Sequence, residues 1–166
     1  MEHPEEFRFS EMRKLVGDRK FNSILEVGCG DGNLASRFVD TGAKILAVDK
    51  DDVKLYAASK LYPDVEYKLV NLINYNLEGN HDLVIFADVI YYLPLETQIK
   101  IMNEIYYVLN EGGLLLTSRH TDNEAELNNY QHLFEKIESK RINNPKGSNF
   151  WTITLWKKIS GVSNAG

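Results

Sequence analysis

The most informative stretch of the sequence is Ile24-Leu25-Glu26-Val27-Gly28-Cys29-Gly30-Asp31-Gly32. An apolar, strand-like run leads into three glycines at alternate positions, and helical spacing of apolar residues begins at Leu34. Glycine tolerates positive φ angles and lets a ligand approach the main chain closely. In open α/β sheets, ligands bind beyond the carboxyl ends of the strands, where the strand order reverses. The stretch therefore predicts a ligand-binding turn after the first strand of such a sheet.

Strand-like and helix-like runs alternate along the rest of the chain. Short apolar or β-rich runs predict strands at 23–28, 44–49, 65–70, 82–88 and 113–118. Helical spacing of apolar residues predicts helices around 34–39, 53–61, 99–109 and 127–137. Runs that are apolar on both faces suit parallel strands covered by helices on each side. The alternation predicts an α/β fold, a Rossmann-like doubly wound sheet with right-handed crossovers.

Both ends of the chain depart from this alternation. Residues 136–142 and 149–157 read as two strands joined by a turn-rich loop. They predict a C-terminal antiparallel hairpin strand in a mostly parallel seven-stranded sheet. Residues 5–16 predict a short N-terminal helix. Two roles stay open for this helix: closing over the site to exclude water, or packing on the edge of the sheet.

Composition and charge narrow the class of protein. The chain has 166 residues, with 19 Lys+Arg against 24 Asp+Glu and a net charge of −5. This balance argues against a nucleic-acid or anionic-membrane binder, whose affinity rests on a basic surface. A single cysteine excludes a disulfide scaffold, and no histidine pair has metal-ligand spacing, so no metal is expected. An acidic, polar N-terminus and the lack of a long apolar run predict a cytoplasmic, single-domain protein.

The glycine pattern separates several classes of ligand. A dinucleotide fingerprint requires G-x-G-x-x-G, and its third glycine position is Asn33 here, which disfavours a nicotinamide oxidoreductase. A nucleoside triphosphate loop requires Gly-Lys-Ser/Thr, which the sequence lacks. Because Glu26 and Asp31 would repel a phosphate, the turn predicts a nucleoside ligand without phosphates, and a cationic one is compatible with it.

An acidic residue followed by G-x-G-x-G resembles the signature of the class I S-adenosylmethionine-dependent methyltransferases, and the resemblance extends over residues 20–158. It implies S-adenosylmethionine as cofactor and one methyltransferase domain over 1–166, with an N-terminal segment at 1–20, a core at 21–158 and a tail at 159–166. It also implies that Asp49 accepts hydrogen bonds from the ribose hydroxyls. Asn71 departs from the family, which usually has an acid there. The implied cofactor-binding residues are Glu26, Gly28, Cys29, Gly30, Asp31, Gly32, Asp49, Lys50, Asn71, Leu72 and Asp88.

Three residues are predicted to act on the acceptor side. Asp88 and Tyr91 follow the fourth strand, where the family carries groups beside the transferred methyl, and His120 follows the fifth. Each has a simpler alternative: Tyr91 packs a pocket wall, Asp88 caps a turn, and His120 is a surface histidine. The segment 87–93 lacks the N/D-P-P-Y signature of amide methylation and resembles the NodS-like group of small methyltransferases.

Together these features predict an enzyme that transfers a methyl group from S-adenosylmethionine to nitrogen or oxygen of a small-molecule acceptor. The transfer would be an in-line displacement, with positioning and general-base help from the protein. A second hypothesis is a catalytically silent methyltransferase-like module that binds a partner protein, which Asn71 and the missing amide signature motivate. Neither nucleic acid nor a membrane is expected as a partner, and a homodimer stays open.

Overall fold

The computed structural model describes residues 4–120 and 129–163. Within these residues, four α-helices and seven β-strands follow one another in this order: α1 Pro4–Val16, β1 Ser23–Val27, α2 Asn33–Ser36, β2 Lys44–Asp49, α3 Asp52–Leu61, β3 Glu66–Leu69, β4 His81–Ala87, α4 Leu95–Val108, β5 Leu109–His120, β6 Phe134–Asn143 and β7 Phe150–Lys158. Short 3₁₀ turns lie at Val39–Thr41 and Ile90–Tyr92.

The strands form one seven-stranded sheet in the order β3-β2-β1-β4-β5-β7-β6. The first five strands in this order are parallel, and β7 lies antiparallel between β5 and β6. The strand order reverses at β1, whose neighbours are β2 and β4. The predicted fold class, a mostly parallel doubly wound sheet with a C-terminal antiparallel hairpin, is confirmed.

Helices cover both faces of the sheet, which explains why its central strands are apolar on both sides. On one face, Ile24 of β1 belongs to a buried cluster with residues of α1, α2 and α3, among them Met12. On the other face, the adjacent Leu25 belongs to a second cluster with Met102 and other residues of α4. The carboxyl ends of the parallel strands are left uncovered by these two layers, so a ligand can reach the main chain there.

The predicted helix at 127–137 is wrong over its described part. Residues 129–133 form turns, and β6 begins at Phe134; residues 127 and 128 lie outside the described residues. β6 is an edge strand in which only Phe134 and Ile142 are buried, and a bulge interrupts its register between Lys136 and Glu138. A strand with so few buried residues and a bulge does not alternate cleanly, so helical spacing was a misleading signal.

The predicted N-terminal helix is present as α1, and it packs against the antiparallel end of the sheet, β5, β6 and β7. Met12 and Val16 of this helix are fully buried. Glu11 pairs with Lys140 of β6, and Arg13 pairs with Asp40 before β2. These contacts fix α1 on the sheet. Within the described ranges, no helix is long and apolar enough to cross a membrane.

Candidate functional site

The turn after β1 is shaped by two glycines with positive φ. The amides of Gly28 and Cys29 both donate to the carbonyl of Val48 in β2, at 2.8 and 3.0 Å. Gly28 has a φ of 77°, and a Cβ built on it would lie 2.4 Å from Cγ2 of Val89. Gly30 has a φ of 54°, and a Cβ there would meet no atom within 4 Å. The main chain therefore packs tightly at Gly28 and borders open space at Gly30.

Asp49, the last residue of β2, fixes this turn from the neighbouring strand. Its Oδ2 accepts a hydrogen bond from the Gly30 amide at 2.8 Å, and its Oδ1 accepts one from the Asp51 amide at 3.0 Å. Asp51 in turn caps α3, because its side chain accepts from the Lys54 amide. A carboxylate offers about four acceptor directions. Each oxygen of Asp49 therefore keeps capacity for a further donor, such as a ligand hydroxyl.

A cavity of about 560 Å³ opens beside this turn, at the carboxyl ends of the central strands. That volume lies within the range of small-molecule sites. The cavity brings together six of the predicted cofactor-binding residues, Gly28, Gly30, Asp49, Lys50, Asn71 and Leu72. Its other lining residues are Val48, Lys54, Val70, Ile73, Val89, Tyr92 and Leu93. The walls are mostly apolar, with a small number of polar groups from β2, β3 and α3.

Four other residues of the predicted cofactor set surround the cavity without lining it. Cys29 is buried in the turn, and burial raises the pKa of its thiol, so it does not act as a nucleophile. Gly32 begins α2. Asp31 is exposed, and its side chain accepts from the Asn33 amide at 3.1 Å. Glu26 lies below the turn in β1 and is 3% exposed.

Of the four acidic residues in the predicted cofactor set, Glu26, Asp31, Asp49 and Asp88, only Asp49 lines the cavity. Burial raises the pKa of Glu26 well above its ordinary value, against the lowering effect of a hydrogen bond from the Ala35 amide. The charged lining residues are Asp49, Lys50 and Lys54, which carry one negative and two positive charges. Lys54, Val89 and Tyr92 were not in the predicted set. The position of Lys54 in the first turn of a helix that follows a strand end is the signal that could have identified it.

Asp88 follows β4 and is the centre of a second group of polar side chains. It has a φ of 54°, which is rare for residues other than glycine, asparagine and aspartate. Its amide donates to the Ser118 carbonyl at 2.8 Å. Its Oδ2 accepts from Arg8 Nη1 and from Ser118 Oγ, and its Oδ1 accepts from the Tyr91 hydroxyl at 2.7 Å. Burial and the adjacent Asp88 raise the pKa of Tyr91, which keeps the hydroxyl protonated as a donor.

Arg8 is the unforeseen member of this group, because it comes from α1 and is 80 positions away from Asp88 in the sequence. Its guanidinium lies over the ring of Phe9, 4.8 Å from the centroid, and over that of Trp151, at 5.0 Å. The ring of His120 contacts Trp151 edge to face, with centroids 5.8 Å apart. No regular spacing in the sequence connects these residues; only the packing of α1 on β5 and β7 does.

The predicted catalytic residues therefore have different placements. Asp88 and Tyr91 are in direct contact, whereas His120 reaches the same region through Trp151 and Arg8. None of the three lines the cavity, which is bordered instead by Tyr92. Tyr92 contacts Tyr91, with ring centroids 4.7 Å apart. The Asp88 group therefore adjoins the cavity through Val89, the next residue in the chain, and through the contact of Tyr91 with Tyr92.

Comparison with known proteins places these features in a wider group. A family model described as a methyltransferase domain matches residues 24–113. A protein of Mycolicibacterium smegmatis named as a probable S-adenosylmethionine-dependent methyltransferase is 30% identical over 96 residues, which are 57% of this chain and 37% of that protein. A malonyl-[acyl-carrier protein] O-methyltransferase of Ilyobacter polytropus is 31% identical over 108 residues, 61% of this chain and 39% of that protein. The chain spans half or less of the length of the curated relatives it matches.

Solved structures share the fold at low sequence identity. The N-methyltransferase NodS from Bradyrhizobium japonicum, in complex with S-adenosyl-L-homocysteine, superposes with a TM-score of 0.85 at 14% identity, covering 93% of this chain and 87% of that one. A 1,6-didemethyltoxoflavin-N1-methyltransferase from Burkholderia thailandensis superposes with a TM-score of 0.79 at 16% identity, covering 96% of this chain and 80% of that one. At these identities the likeness concerns the fold.

Proposed function

The chain belongs to the methyltransferase domain family, and on that premise we propose that it is an S-adenosylmethionine-dependent methyltransferase that acts on nitrogen or oxygen of a small-molecule acceptor. The observation that carries the proposal is the cavity beside Gly28 and Gly30. At its edge, the Asp49 carboxylate accepts a hydrogen bond from the Gly30 amide. The match to the family model includes this whole turn, Asp49 and Asn71.

The residues around the cavity fit the expected cofactor. The turn brings main chain to the cavity at Gly30, where no side chain stands in the way. Asp49 has acceptor capacity left for ribose hydroxyls, and the Asn71 side chain offers both a donor and an acceptor to an adenine ring. Leu72 and Val89 supply apolar walls for flat or aliphatic parts of the ligand. Asn71 is neutral, so its hydrogen bond to the ligand lacks the charge assistance that an acid would give.

The chemistry supplied by bound S-adenosylmethionine is an activated methyl group on a sulfonium, which leaves by in-line displacement. The protein's part is to position the two reactants and to exclude water. Val89 and Leu93 line the cavity beside the turn and exclude water there. Tyr91 and Asp88 stand behind Tyr92 and hold one another in place.

Proton removal from the acceptor is assigned to His120 in this proposal. Asp88 already accepts three side-chain hydrogen bonds, from Arg8, Tyr91 and Ser118, so protonating it would disrupt them. An imidazole can take up a proton near neutral pH. His120 stands at the carboxyl end of β5, on the edge of the sheet where the cavity opens. A hydroxyl acceptor needs this step, whereas an amine acceptor must arrive neutral.

Calorimetric titration with S-adenosyl-L-homocysteine tests the proposal. We expect the wild-type protein to bind it and Asp49→Asn to bind at least about tenfold more weakly, since that change removes a charge-assisted acceptor. Asp64→Asn is the matched control, because Asp64 is exposed and distant in sequence from the turn. Thermal unfolding of both variants checks that the fold is retained. Absence of binding by the wild type, or equal binding by Asp49→Asn, would contradict the proposal.

A methyl-transfer assay distinguishes an enzyme from a catalytically silent binding module. The protein is incubated with methyl-labelled S-adenosylmethionine and a panel of small amines, alcohols, phenols and carboxylic acids. Transfer of label to any of them supports an enzyme. Cofactor binding without transfer to any acceptor favours the binding module, which the neutral Asn71 and the three side-chain hydrogen bonds already accepted by Asp88 would suit.

A further inference from the structure

The side chain of Arg8 is buried although one of its donors is unused. It is 7% exposed, and its Nη1 is bound to Asp88. Within residues 4–120 and 129–163, its buried Nε has no hydrogen-bond partner. Buried polar groups normally have a partner, and an unpaired donor in a protein interior lowers stability. One side of the guanidinium, at Nη1, makes a buried ion pair, and the other side, at Nε, makes no bond. This arrangement points to a ligand on the Nε side.

The chemistry of that second edge is specific. In a guanidinium, the Nε–H and one Nη2–H are parallel and match the two oxygens of a carboxylate. The Nη1 side of Arg8 is held by Asp88, so the Nε side is the one left for a ligand. Phe9 and Trp151 lie over the guanidinium at 4.8 and 5.0 Å, which fixes its plane. An ammonium group could not offer such a fork, so arginine rather than lysine is required here.

The position of Arg8 connects this edge with the acceptor side of the proposed enzyme. Arg8 binds Asp88, Asp88 binds Tyr91, and the Tyr91 ring contacts Tyr92, which lines the cavity. A group bound by Arg8 is therefore separated from the cavity by this short chain of contacts.

We propose that Arg8 is the specificity-determining residue for the acceptor and that the acceptor carries a carboxylate, which the Nε edge of Arg8 binds. This inference rests on the proposed function. The carboxylate is the anchor of the acceptor, and the methylated nitrogen or oxygen lies elsewhere in the molecule. A phosphate monoester is disfavoured, because its second negative charge would lie near Asp88 with one shared guanidinium to balance both. The aromatic rings of Phe9 and Trp151 beside the guanidinium favour a flat acceptor.

The test uses the full chain saturated with S-adenosyl-L-homocysteine and three probes of similar shape: benzoate, benzamide and phenyl phosphate. Binding is followed by calorimetry and by tryptophan fluorescence. We expect benzoate to bind at least tenfold more tightly than benzamide and more tightly than phenyl phosphate. Arg8→Lys keeps the charge and loses the fork, so it should weaken benzoate at least tenfold and leave benzamide within twofold. Arg13→Lys is the matched control, because Arg13 lies on the same helix and pairs with exposed Asp40.

Several results would overturn the inference. They are equal affinities for benzoate and benzamide, no benzoate binding at millimolar concentration, tighter binding of phenyl phosphate, or an equal loss in Arg8→Lys and Arg13→Lys. The wild-type comparison of benzoate with benzamide decides the matter even if Arg8→Lys fails to fold. Failure of the proposed function is distinct, since it is seen as missing S-adenosyl-L-homocysteine binding before any probe is added. Arg8→Lys should keep its affinity for S-adenosyl-L-homocysteine within threefold, because Arg8 does not line the cavity.

Discussion

A single methyl group should have very different effects at Gly28 and at Gly30. Both residues have positive φ, so alanine at either position is strained by about 1–2 kcal/mol. At Gly28 the new Cβ would also lie 2.4 Å from Val89 Cγ2, and overpacking of this kind costs a further 1–3 kcal/mol or so. Gly28→Ala should therefore lower the free energy of unfolding by about 2–5 kcal/mol. Gly30→Ala should lower it by about 1–2 kcal/mol.

The assay is urea unfolding of both variants, with and without S-adenosyl-L-homocysteine. Gly30→Ala should unfold close to the wild-type midpoint, yet gain less stability from the ligand, because the added methyl enters the space beside the amide that Asp49 holds. Gly28→Ala should unfold at a clearly lower urea concentration even without ligand. The expected loss in Gly28→Ala is large compared with the free energy of unfolding of an ordinary domain, which is about 5–15 kcal/mol.

A double-mutant cycle with Val89→Ala isolates the contact. In the Gly28→Ala variant, removing the γ carbons of Val89 should raise the free energy of unfolding by about 1–3 kcal/mol, because the overlap with the new Cβ is relieved. The strain of the positive φ should persist. The same change in the Gly30→Ala background should show no coupling. Equal destabilisation by the two alanine variants, or no coupling between positions 28 and 89, would refute the reasoning.

Three further variants test the charges and hydrogen bonds around the site. Because the pKa of Glu26 is raised, the folded protein keeps a proton on this carboxyl that the unfolded chain releases. The free energy of unfolding therefore falls as pH rises above about 4.5, until the raised pKa is passed. The slope of this fall is at most about 1.4 kcal/mol per pH unit. In urea unfolding between pH 4.5 and 8, Glu26→Gln should abolish this fall. A pH profile unchanged from the wild type would contradict the raised pKa of Glu26. Asp82 changes the pH dependence of stability in the opposite direction. Hydrogen bonds from the Asn110 side chain and from the Asn22 and Ser23 amides lower its pKa. Its contribution to the free energy of unfolding is therefore present above about pH 3.8 and is lost as pH falls through the lowered pKa. Asp82→Asn should therefore lose less stability than the wild type between pH 4 and 2, and a parallel acid profile would contradict this. Tyr91→Phe removes one of the three side-chain donors to Asp88 and should cost about 1–2 kcal/mol in thermal unfolding; no change would mean that Arg8 and Ser118 suffice to hold the carboxylate.

The central strands and the glycine turn could be predicted because burial leaves a direct trace in the sequence. β1 and β4 are buried on both faces, so their apolar runs stand out, and Gly28 and Gly30 mark the turn that follows β1. The family predicted from that turn is confirmed by the match over residues 24–113. Asp49 lies beside the turn because the carboxyl ends of neighbouring parallel strands meet at one edge.

Features that depend on long-range packing left no such trace. Residues 136–142 could be predicted as a strand, but β6 is exposed along most of its length and bulged, and its first residues, from Phe134, were assigned to a helix. The Arg8 contact with Asp88 depends on how α1 lies across β5 and β7. Side-chain direction, which sequence spacing does not reveal, decides that Glu26 is buried, that Asp31 faces solvent and that Lys54 lines the wall of the cavity.

The place of β7 between β5 and β6 has a consequence for how the protein is made. A growing chain emerges from the ribosome in order, so β5 emerges before its neighbour in the sheet, Phe150–Lys158. Until then β5, whose residues 113–119 are buried in the finished sheet, has a free edge that could pair with another nascent chain. Placement of β7 closes that edge and attaches β6 in the same step. Slower emergence of the residues between β5 and the end of β7 should therefore increase aggregation, whereas slower emergence of the residues before 80 should not.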